Sequence, residues 1–239
     1  ANIGKTELYS INACYELTNN IDIGKMIDLN TNASWAPIGF VNNTVTPFNG
    51  RLDGKGYTIE NLKLSATTQS TGLFSKLSST AKVYNVKFDG VTMLVSGNTA
   101  VNAGTVAGEN YGTVERVEVK NANIVSTNPN AVVGGVVGAN LSVNNGRTQT
   151  IAKLDRVSAS VTAGGKLDKG VSSESVQGTF GGVAGKNYGG RVYFSYATGK
   201  IDTSAAEKIT LVGGLIGENK FAKIDSDGIN KNYTKSLGC

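Results

Sequence analysis

The chain has 239 residues, with 23 lysines and arginines against 18 aspartates and glutamates, and no histidine. The absence of histidine excludes histidine-based catalytic triads, histidine general bases and histidine metal ligands. No apolar run of about 18 residues occurs and no basic cluster interleaves with aromatic residues, so we expect neither a membrane span nor a nucleic-acid surface.

Residues 14–64 differ from the rest of the chain and predict a terminal cap. Terminal repeats of stacked proteins are atypical because they must cover an end. The single tryptophan, Trp35, is expected to cover the exposed end together with Pro37 and Phe48. Further along, the segment Asp53-Gly-Lys-Gly56 predicts a hairpin-like turn between two short strands.

A five-residue Gly-rich unit then returns at intervals of about 30 residues, which is the signature of stacked repeats. The units are Thr71–Ser75, Gly104–Gly108, Gly134–Gly138, Gly181–Gly185 and Gly213–Gly217. Each unit predicts a strand, a tight turn and a second strand, because apolar and polar residues tend to alternate after the turn. The predicted fold is therefore all-β: a parallel β-solenoid of stacked repeats.

The same pattern predicts the domain organisation. Residues 1–64 are expected to form the cap and the first coils, and residues 65–239 the repeats. No linker or change of composition separates the two parts, and windows with helical periodicity and capping signals are missing over most of the chain. We therefore predict one continuous domain.

An asparagine stands at one fixed offset in each of the last four units: Asn110, Asn140, Asn187 and Asn219. Equivalent positions in successive coils lie about 4.8 Å apart, so the side-chain amides can hydrogen-bond to one another in a ladder. The other interpretation is that each asparagine only supplies a turn. The first unit has Leu77 at this offset, so any ladder begins at Asn110.

One interval between units is longer than its neighbours. The extra residues, 142–150 and 164–178, have the composition of loops. Solenoids place such insertions on one face, which is often the binding face. These two segments are accordingly the preferred contact face.

Parallel β-helices can also host polysaccharide lyases and hydrolases, which need carboxylates clustered on one face. The candidates are Asp53, Asp89 and Asp155, with Arg51 and Arg156. Turn chemistry accounts for Asp53, and strand alternation is expected to send Asp155 and Arg156 to opposite faces. We therefore predict no catalytic residues and no enzyme.

Four aromatic residues, Tyr188, Tyr193, Phe194 and Tyr196, lie close together in the sequence. An exposed row of them would suit a sugar or a protein partner. Alternation sends Tyr193 and Phe194 to opposite faces, so part of the group must pack against other coils. Packing is the preferred interpretation, and ligand contact is the alternative.

The end of the chain carries the only metal candidates, Asp225 and Asp227, which resemble the start of a calcium loop. The later glutamate and the full spacing of such a loop are missing, so a turn is the better interpretation. No cofactor is predicted.

The two cysteines are Cys14 and Cys239, and a disulfide needs their Cα atoms within about 7 Å. The ends of the stack are expected about 30–40 Å apart, but the tail after Ile224 is long enough to run back along it. Three possibilities therefore remain: a disulfide between Cys14 and Cys239, free thiols, or a disulfide to another molecule.

The order of these motifs resembles a known family. The pattern runs from Tyr15-x-Leu-Thr-Asn through Trp35-x-Pro-Ile-Gly and Gly56-Tyr-Thr-Ile to Thr71-Gly-Leu-Phe and the Gly-Gly-x-x-Gly-x-Asn units. It is similar to the GLUG-repeat regions of bacterial surface proteins, which occur in large adhesins and beside the peptidase domain of IgA-specific metalloendopeptidases. The resemblance covers about residues 14–235. It implies a parallel β-solenoid on the outer cell surface and offers no catalytic residue.

The peptidase activity of some members needs a His-Glu-x-x-His zinc helix, so a chain without histidine can only be an accessory part. The sequence and the resemblance together indicate a non-catalytic adhesion or interaction module that is secreted or displayed on the bacterial cell surface. Its expected partner is a protein or a glycan of a host or bacterial surface. A carbohydrate-active β-helix enzyme, and a filament or pilus subunit that self-associates through the solenoid ends, are the alternatives.

Overall fold

The computed structural model describes residues 10–26, 34–144, 149–164, 178–202 and 209–220. Within these ranges the chain is all-β, and the strands of its three main sheets are paired in parallel. The one helix among the described residues is α1, with four residues, Ile23–Met26. The predicted all-β class and the predicted parallel pairing are confirmed.

Twenty-four short strands make up the described part of the chain. The first ten are β1 (Cys14–Glu16), β2 (Ile21–Asp22), β3 (Phe40–Val41), β4 (Thr44–Val45), β5 (Arg51–Asp53), β6 (Thr58–Glu60), β7 (Lys63–Ala66), β8 (Phe74–Leu77), β9 (Lys82–Asp89) and β10 (Thr92–Val95).

The later strands are β11 (Asn102–Gly104), β12 (Ala107–Asn110), β13 (Thr113–Ser126), β14 (Val132–Gly134), β15 (Val137–Leu141), β16 (Val143–Asn144), β17 (Gln149–Thr150), β18 (Lys153–Ala163), β19 (Gly178–Gly181), β20 (Ala184–Tyr188), β21 (Arg191–Tyr193), β22 (Tyr196–Ile201), β23 (Ile209–Gly213) and β24 (Ile216–Lys220). Among these later strands, β13 and β18 are the longest, because each stays paired through a bend of the chain.

Successive repeats add their strands to the same three sheets. The Gly sheet has the order β11-β14-β19-β23 and the Asn sheet the order β24-β20-β15-β12-β8. The third, the long sheet, has eleven strands and includes β5, β9, β13, β18, β21 and β22. Equivalent residues pair across neighbouring repeats, as Gly104 does with Gly134 and Asn110 with Asn140. The repeat spacing in the sequence is thus the spacing of parallel partners.

The apolar residues that alternate along these strands meet in one core. Val133 of the Gly sheet, Val137 of the Asn sheet and Leu154 of the long sheet are all fully buried in the same cluster. Each buried side chain of this size contributes about 1.5–3 kcal/mol relative to an exposed one. The three sheets therefore stabilise one another through a shared interior.

The Gly-rich units let neighbouring repeats approach closely. At Gly135 an added Cβ would lie 2.7 Å from Cγ2 of Val161 and 2.9 Å from Cβ of Ala159. Contacts that short are not tolerated between carbon atoms, so a side chain here would push the sheets apart. This explains the glycine at position 135; the equivalent position of the preceding unit holds Thr105, which is fully buried.

The segment before β8 lies against one end of the Asn sheet. Phe48 is fully buried with its ring centroid 4.5 Å from that of Phe74 in β8, and Ile38 and Phe48 form isolated parallel bridges to β8. The indole Nε1 of the half-buried Trp35 donates to the Leu73 carbonyl at 3.1 Å. These residues therefore lie against β8, the strand at one end of the Asn sheet.

The predicted hairpin at residues 53–56 is wrong. Strands β5 and β6 do not pair with each other; both pair in parallel with β9, Arg51 opposite Lys82 and Thr58 opposite Lys87. The residues between them form an outward bulge in one continuous path, with φ of 51° at Lys55. Register with β9 on both sides prevents the chain from turning back.

Candidate functional site: an outward bend of the long sheet

Four residues with left-handed backbone conformation occupy the same register position in successive strands of the long sheet. Asn85, Arg116, Arg156 and Phe194 have φ of 54°, 50°, 54° and 45°. Parallel pairing on either side of them places them one above another. Non-glycine residues rarely adopt this conformation, so a stack of four is a defined feature of the fold. We call this stack the corner row.

The residues immediately before the corner residues form a second stack, Tyr84, Glu115, Asp155 and Tyr193. Asp53 of β5, the register partner of Tyr84, extends this stack by one strand. The three carboxylates among them are 5–8% exposed. Because a buried carboxylate is costly without a partner, their counter-charges decide what this surface can do.

Cations neutralise Glu115 and Asp155 from several sides. Nη2 of Arg156 lies 3.0 Å from Oε1 of Glu115 and 3.1 Å from Oδ2 of Asp155, so one guanidinium joins two repeats. Lys82 Nζ is 2.8 Å from Glu115 Oε2, and Lys153 Nζ is 2.9 Å from Asp155 Oδ2. Arg116 also pairs with Glu115. Both carboxylates are therefore held as ion-paired groups.

Hydrogen bonds extend this network to the bulge at residues 53–56. Nε of Arg116 donates to Oδ1 of Asn85 at 2.6 Å, and Nδ2 of Asn85 donates to Oδ1 of Asp53 at 3.1 Å. Lys55 donates its backbone N–H to Asp53 at 2.9 Å and places Nζ 3.3 Å from the same carboxylate. One polar network thus crosses four successive strands.

The network lowers the pKa of two of these carboxylates, Glu115 and Asp53. The hydrogen bond from Lys82 lowers the pKa of Glu115 against the opposing effect of burial, and the charges of Arg116 and Arg156 act in the same direction. Burial raises the pKa of Asp53, but the Lys55 N–H and the Asn85 amide outweigh it and leave that pKa lowered. A general acid for glycoside cleavage needs a raised pKa, so neither group suits that role.

An open cleft of about 570 Å³ lies along the corner row. Its side chains that can bind a polar ligand are Lys55, Asn85, Lys87, Arg116, Arg156 and Ser158. Asp53 and Glu118 also line it, so cations outnumber anions in the lining by four to two. We call this surface the corner cleft.

The stacks that form the corner cleft continue into exposed aromatic rings. Phe194 follows Arg156 in the corner row, and Tyr196 is the register partner of Ser158. Phe194 is 84% exposed, Tyr196 59% and Tyr193 41%. The preferred prediction that these residues pack against other coils is wrong for all three. They lie on the last described strands of the long sheet, and the bend at Phe194 turns its ring outward.

Tyr188, the fourth predicted aromatic, lies instead on the Asn sheet and is half-buried. Its hydroxyl donates to Oε2 of Glu218 at 3.0 Å. The ammonium groups of Lys186 and Lys220 lie 4.8 Å and 5.5 Å from its ring centroid. Local polar contacts therefore account for this residue.

The prediction that Asp155 and Arg156 point to opposite faces is also wrong, because the left-handed φ at Arg156 interrupts the alternation. Asp89 is not part of the cluster; it accepts from Nδ2 of Asn121 at 2.7 Å. Arg51 is exposed on β5. Sequence reasoning missed Glu115, although Val-Glu-Arg-Val at 114–117 and Leu-Asp-Arg-Val at 154–157 share one pattern.

The predicted asparagines form a hydrogen-bonded column in the Asn sheet. Asn110 donates from Nδ2 to Oδ1 of Asn140, Asn140 to Asn187, and Asn187 to Asn219, each at 2.8 Å. Asn110 also accepts the Gly112 N–H at 3.0 Å, so the turn and the ladder interpretations both describe it. Asn110 and Asn140 are fully buried, whereas Asn219 is exposed. We call this the Asn column.

Several predicted features lie outside the described residues: Asp225 and Asp227, Cys239, and most of the two long loops. Cys14 is exposed on β1. In the part of the chain that the structure describes, no group of three or more histidine, cysteine, aspartate or glutamate side chains is placed to hold a metal ion. No helix within those ranges is both long and apolar enough to cross a membrane.

Two known proteins are similar to part of this chain. No protein-family model matches the chain. Halomucin from Haloquadratum walsbyi is 36% identical over 130 residues, which cover 50% of this chain and 1% of halomucin. A candidate Gly-rich membrane protein from Evansella cellulosilytica is 29% identical over 161 residues, which cover 56% of this chain and 18% of that protein. The chain thus spans a small part of either relative.

A solved structure has a similar fold. The crystal structure of a candidate immunoglobulin A1 protease from Bacteroides ovatus superposes with a TM-score of 0.56 at 19% sequence identity. The match covers 88% of this chain and 56% of the other. At this identity the likeness concerns the fold alone.

Proposed function

We propose that this chain is a non-catalytic interaction module of a secreted or cell-surface protein, built as a parallel β-solenoid with an N-terminal cap. The in-register parallel pairing in all three sheets and the common core support the solenoid. The GLUG-type assignment belongs to the same proposal. The names of halomucin and of the Gly-rich membrane protein favour a surface location.

The observation that carries the proposal is the contrast between a constant interior and a varied outer bend. The corner row presents an amide, two guanidinium groups and an aromatic ring from one backbone position in four repeats. Stacking requires only that the interior repeat, so a change at this exposed position leaves the core intact. Such a surface is suited to recognition by many small contacts.

A carbohydrate-active enzyme is the less favoured function. The carboxylates that the fold brings together, Glu115 and Asp155, are occupied by Lys82, Lys153 and Arg156. An acid–base pair needs one carboxyl group that is protonated and one that is free to act. The ion pairs of this cluster favour binding over glycosidic cleavage.

Self-association is a second candidate, because apolar side chains are exposed on the last described strands. Leu211 and Val212 of β23 are each 41% exposed, and Phe194 lies on the adjoining end of the long sheet. An exposed strand edge with apolar residues can join another copy. Sedimentation velocity over a range of concentrations tests this: growth into chains supports a filament subunit, and a constant monomer contradicts it.

Attachment tests the main proposal. Beads coated with the chain are expected to attach to bacterial or host cell surfaces, to saturate, and to be displaced by the soluble chain; beads with an unrelated basic β-protein serve as the control. Many weak contacts on one bead add up to measurable avidity. Attachment no greater than the control would contradict an interaction module. Release of reducing sugar or unsaturated product from a polysaccharide panel would establish an enzyme instead.

A further inference from the structure

The corner cleft contains one cation that differs from the others. Lys55, Arg116 and Arg156 all form ion pairs with neighbouring carboxylates. Lys87 is exposed, and no ion pair joins it to any residue that the structure describes. Glu118, the register partner of Lys87, lines the same cleft but pairs with Lys120 at 3.2 Å. The Lys87 ammonium group therefore has no ion-pair partner among the described residues, and it is the place in the cleft for the anionic group of a ligand.

The groups around Lys87 are those that bind sugar hydroxyls. The guanidinium groups of Arg116 and Arg156 keep further N–H donors beyond their ion pairs, and Asn85 and Ser158 supply an amide and a hydroxyl. The remaining charges nearly cancel, since Glu115 and Asp155 lie beneath the arginines. A densely charged polymer therefore gains less here than one with hydroxyl groups and occasional anionic groups.

The shape of the site favours an extended polymer. The lining comes from four successive strands, which at about 4.8 Å per step span about 14 Å along the stack. The cleft is open along this direction and leads to the exposed rings of Phe194 and Tyr196. Aromatic rings offer apolar faces against which the carbon-bound hydrogens of a sugar ring pack.

From these features we propose that the corner cleft binds an acidic polysaccharide along the stack, with an anionic group at Lys87, hydroxyl groups at Asn85 and Ser158, and a sugar ring against Phe194 or Tyr196. The inference rests on the proposed interaction function and names its site and ligand class. Nucleic acid is disfavoured because the arginines are already neutralised, and an acidic peptide is disfavoured because it lacks hydroxyl-bearing rings.

Calorimetric titration with polygalacturonate, which carries carboxylates, and dextran sulfate, which carries sulfates, tests the site. Lys87→Gln is expected to weaken binding roughly two- to fivefold, the range for one exposed ion pair, and Lys87→Glu by about tenfold or more. Lys63→Gln removes one exposed positive charge from β7, outside the cleft, and is the control for the loss of a charge alone. Because Lys63 has a contact of its own in the fold, its variant is compared with the wild type in stability as well. Because the net charge of +5 attracts any polyanion weakly, the difference between the two glutamine variants is the decisive measurement.

The aromatic end gives a second, independent variant. Tyr196→Ala is expected to weaken binding roughly three- to tenfold with little change in salt dependence, because a ring contact is not ionic. Circular dichroism and the denaturation midpoint must stay at wild-type values for each variant.

An equal loss of binding affinity in Lys87→Gln and Lys63→Gln would show that only the net charge attracts the polymer, and it would overturn the proposal. Binding of neutral dextran, polyglutamate or single-stranded DNA as tight as that of the acidic polysaccharides would overturn it as well. The relative affinity for polygalacturonate and dextran sulfate then identifies the anionic group. If coated beads attach to cells but free acidic polysaccharide does not compete, this ligand assignment fails while the interaction function stands.

Discussion

The Asn column and the corner row are both stacks of residues in register, yet they use the same geometry in opposite ways. The Asn column repeats one residue type, and its interior members are buried. The corner row varies along the stack, from Asn85 through two arginines, Arg116 and Arg156, to Phe194; Asn85 is half-buried and the other three are exposed. Identical partners satisfy one another, whereas dissimilar exposed partners leave side chains available for contact.

The physical reason for the difference is the cost of an unsatisfied polar group. Inside the fold each amide of the Asn column needs both a donor and an acceptor. The amide at the equivalent position of the neighbouring repeat and the backbone of the following turn supply them. The corner residues are open to water, and the polar ones bond to the neighbouring carboxylates rather than to identical partners, so the same residue is not required at each step. Gly190 shows how strict the interior is, because an added Cβ there would meet the amides of Asn140 and Asn187.

The sharpest way to break this comparison is to remove an interior amide. Asn140→Ala leaves Nδ2 of Asn110 and Oδ1 of Asn187 without their partners and is expected to reduce the free energy of unfolding by about 1–3 kcal/mol. The same range is expected for Asn187→Ala. The measurement is the midpoint of chemical denaturation.

Asn219→Ala is the control, because Asn219 is exposed and, among the described residues, its side chain accepts from Asn187 alone. Nδ2 of Asn187 also donates to the Gly190 carbonyl at 3.0 Å, so it keeps an acceptor in this variant. It is expected to change the free energy of unfolding by less than about 0.5 kcal/mol. If Asn140→Ala were as mild as this control, the Asn column would contribute no more than ordinary turns do.

The corner row makes the opposite prediction at Phe194. A bulky residue with φ of 45° carries a conformational cost of about 1–2 kcal/mol, and a ring that is 84% exposed recovers little of it by burial. Phe194→Asn is therefore expected to raise the free energy of unfolding by about 1 kcal/mol. Asparagine tolerates this conformation better, as Asn85 does at the other end of the corner row.

Tyr196→Asn is the control, since Tyr196 is exposed on the same edge but lies in the extended strand β22. It removes an aromatic ring without relieving a left-handed residue, so no gain in stability is expected. Equal midpoints for the two variants would show that the bend at Phe194 carries no cost. If Phe194→Asn is more stable but binds polysaccharide more weakly, the phenylalanine serves binding at a cost in stability.

The repeat pattern predicted the fold class well because stacking imposes a visible rule on the sequence. Gly-rich units and the asparagine at a fixed offset recur since each must match its partner in the next repeat. The long sheet was harder to predict. Its bends are set by left-handed residues at Arg116, Arg156 and Phe194, and neither arginine nor phenylalanine is typical of that conformation.

The candidate site was only partly predictable for the same reason. Strand alternation separates Asp155 from Arg156, and only a bend between them brings the two together. Glu115 was missed because no single-strand pattern marks it; only its alignment with Asp155 across repeats does so. The hairpin predicted at residues 53–56 failed because pairing with β9 outweighed the local turn signal.

The smallest expected effect concerns the ion pairs beneath the corner row. Glu115→Gln removes a carboxylate whose partners, Lys82, Arg116 and Arg156, remain partly exposed and are rehydrated, so the loss at neutral pH is expected to stay below about 1 kcal/mol. The folded-state pKa of Glu115 lies below its ordinary value of 4.5. Its contribution is therefore fully present well above pH 4.5 and is lost as the pH falls through the folded-state pKa.

Denaturation midpoints of the wild type and of Glu115→Gln should accordingly converge as the pH falls from 7 to about 3. Lys82→Gln removes the strongest influence on the pKa of Glu115 and is expected to move this convergence to higher pH. A gap between wild type and Glu115→Gln that is constant across this range would show that the carboxylate acts through packing rather than charge. In that case the polar network would not stabilise the bend through charge. Convergence would instead show that the ion pairs of Glu115 stabilise the corner row electrostatically.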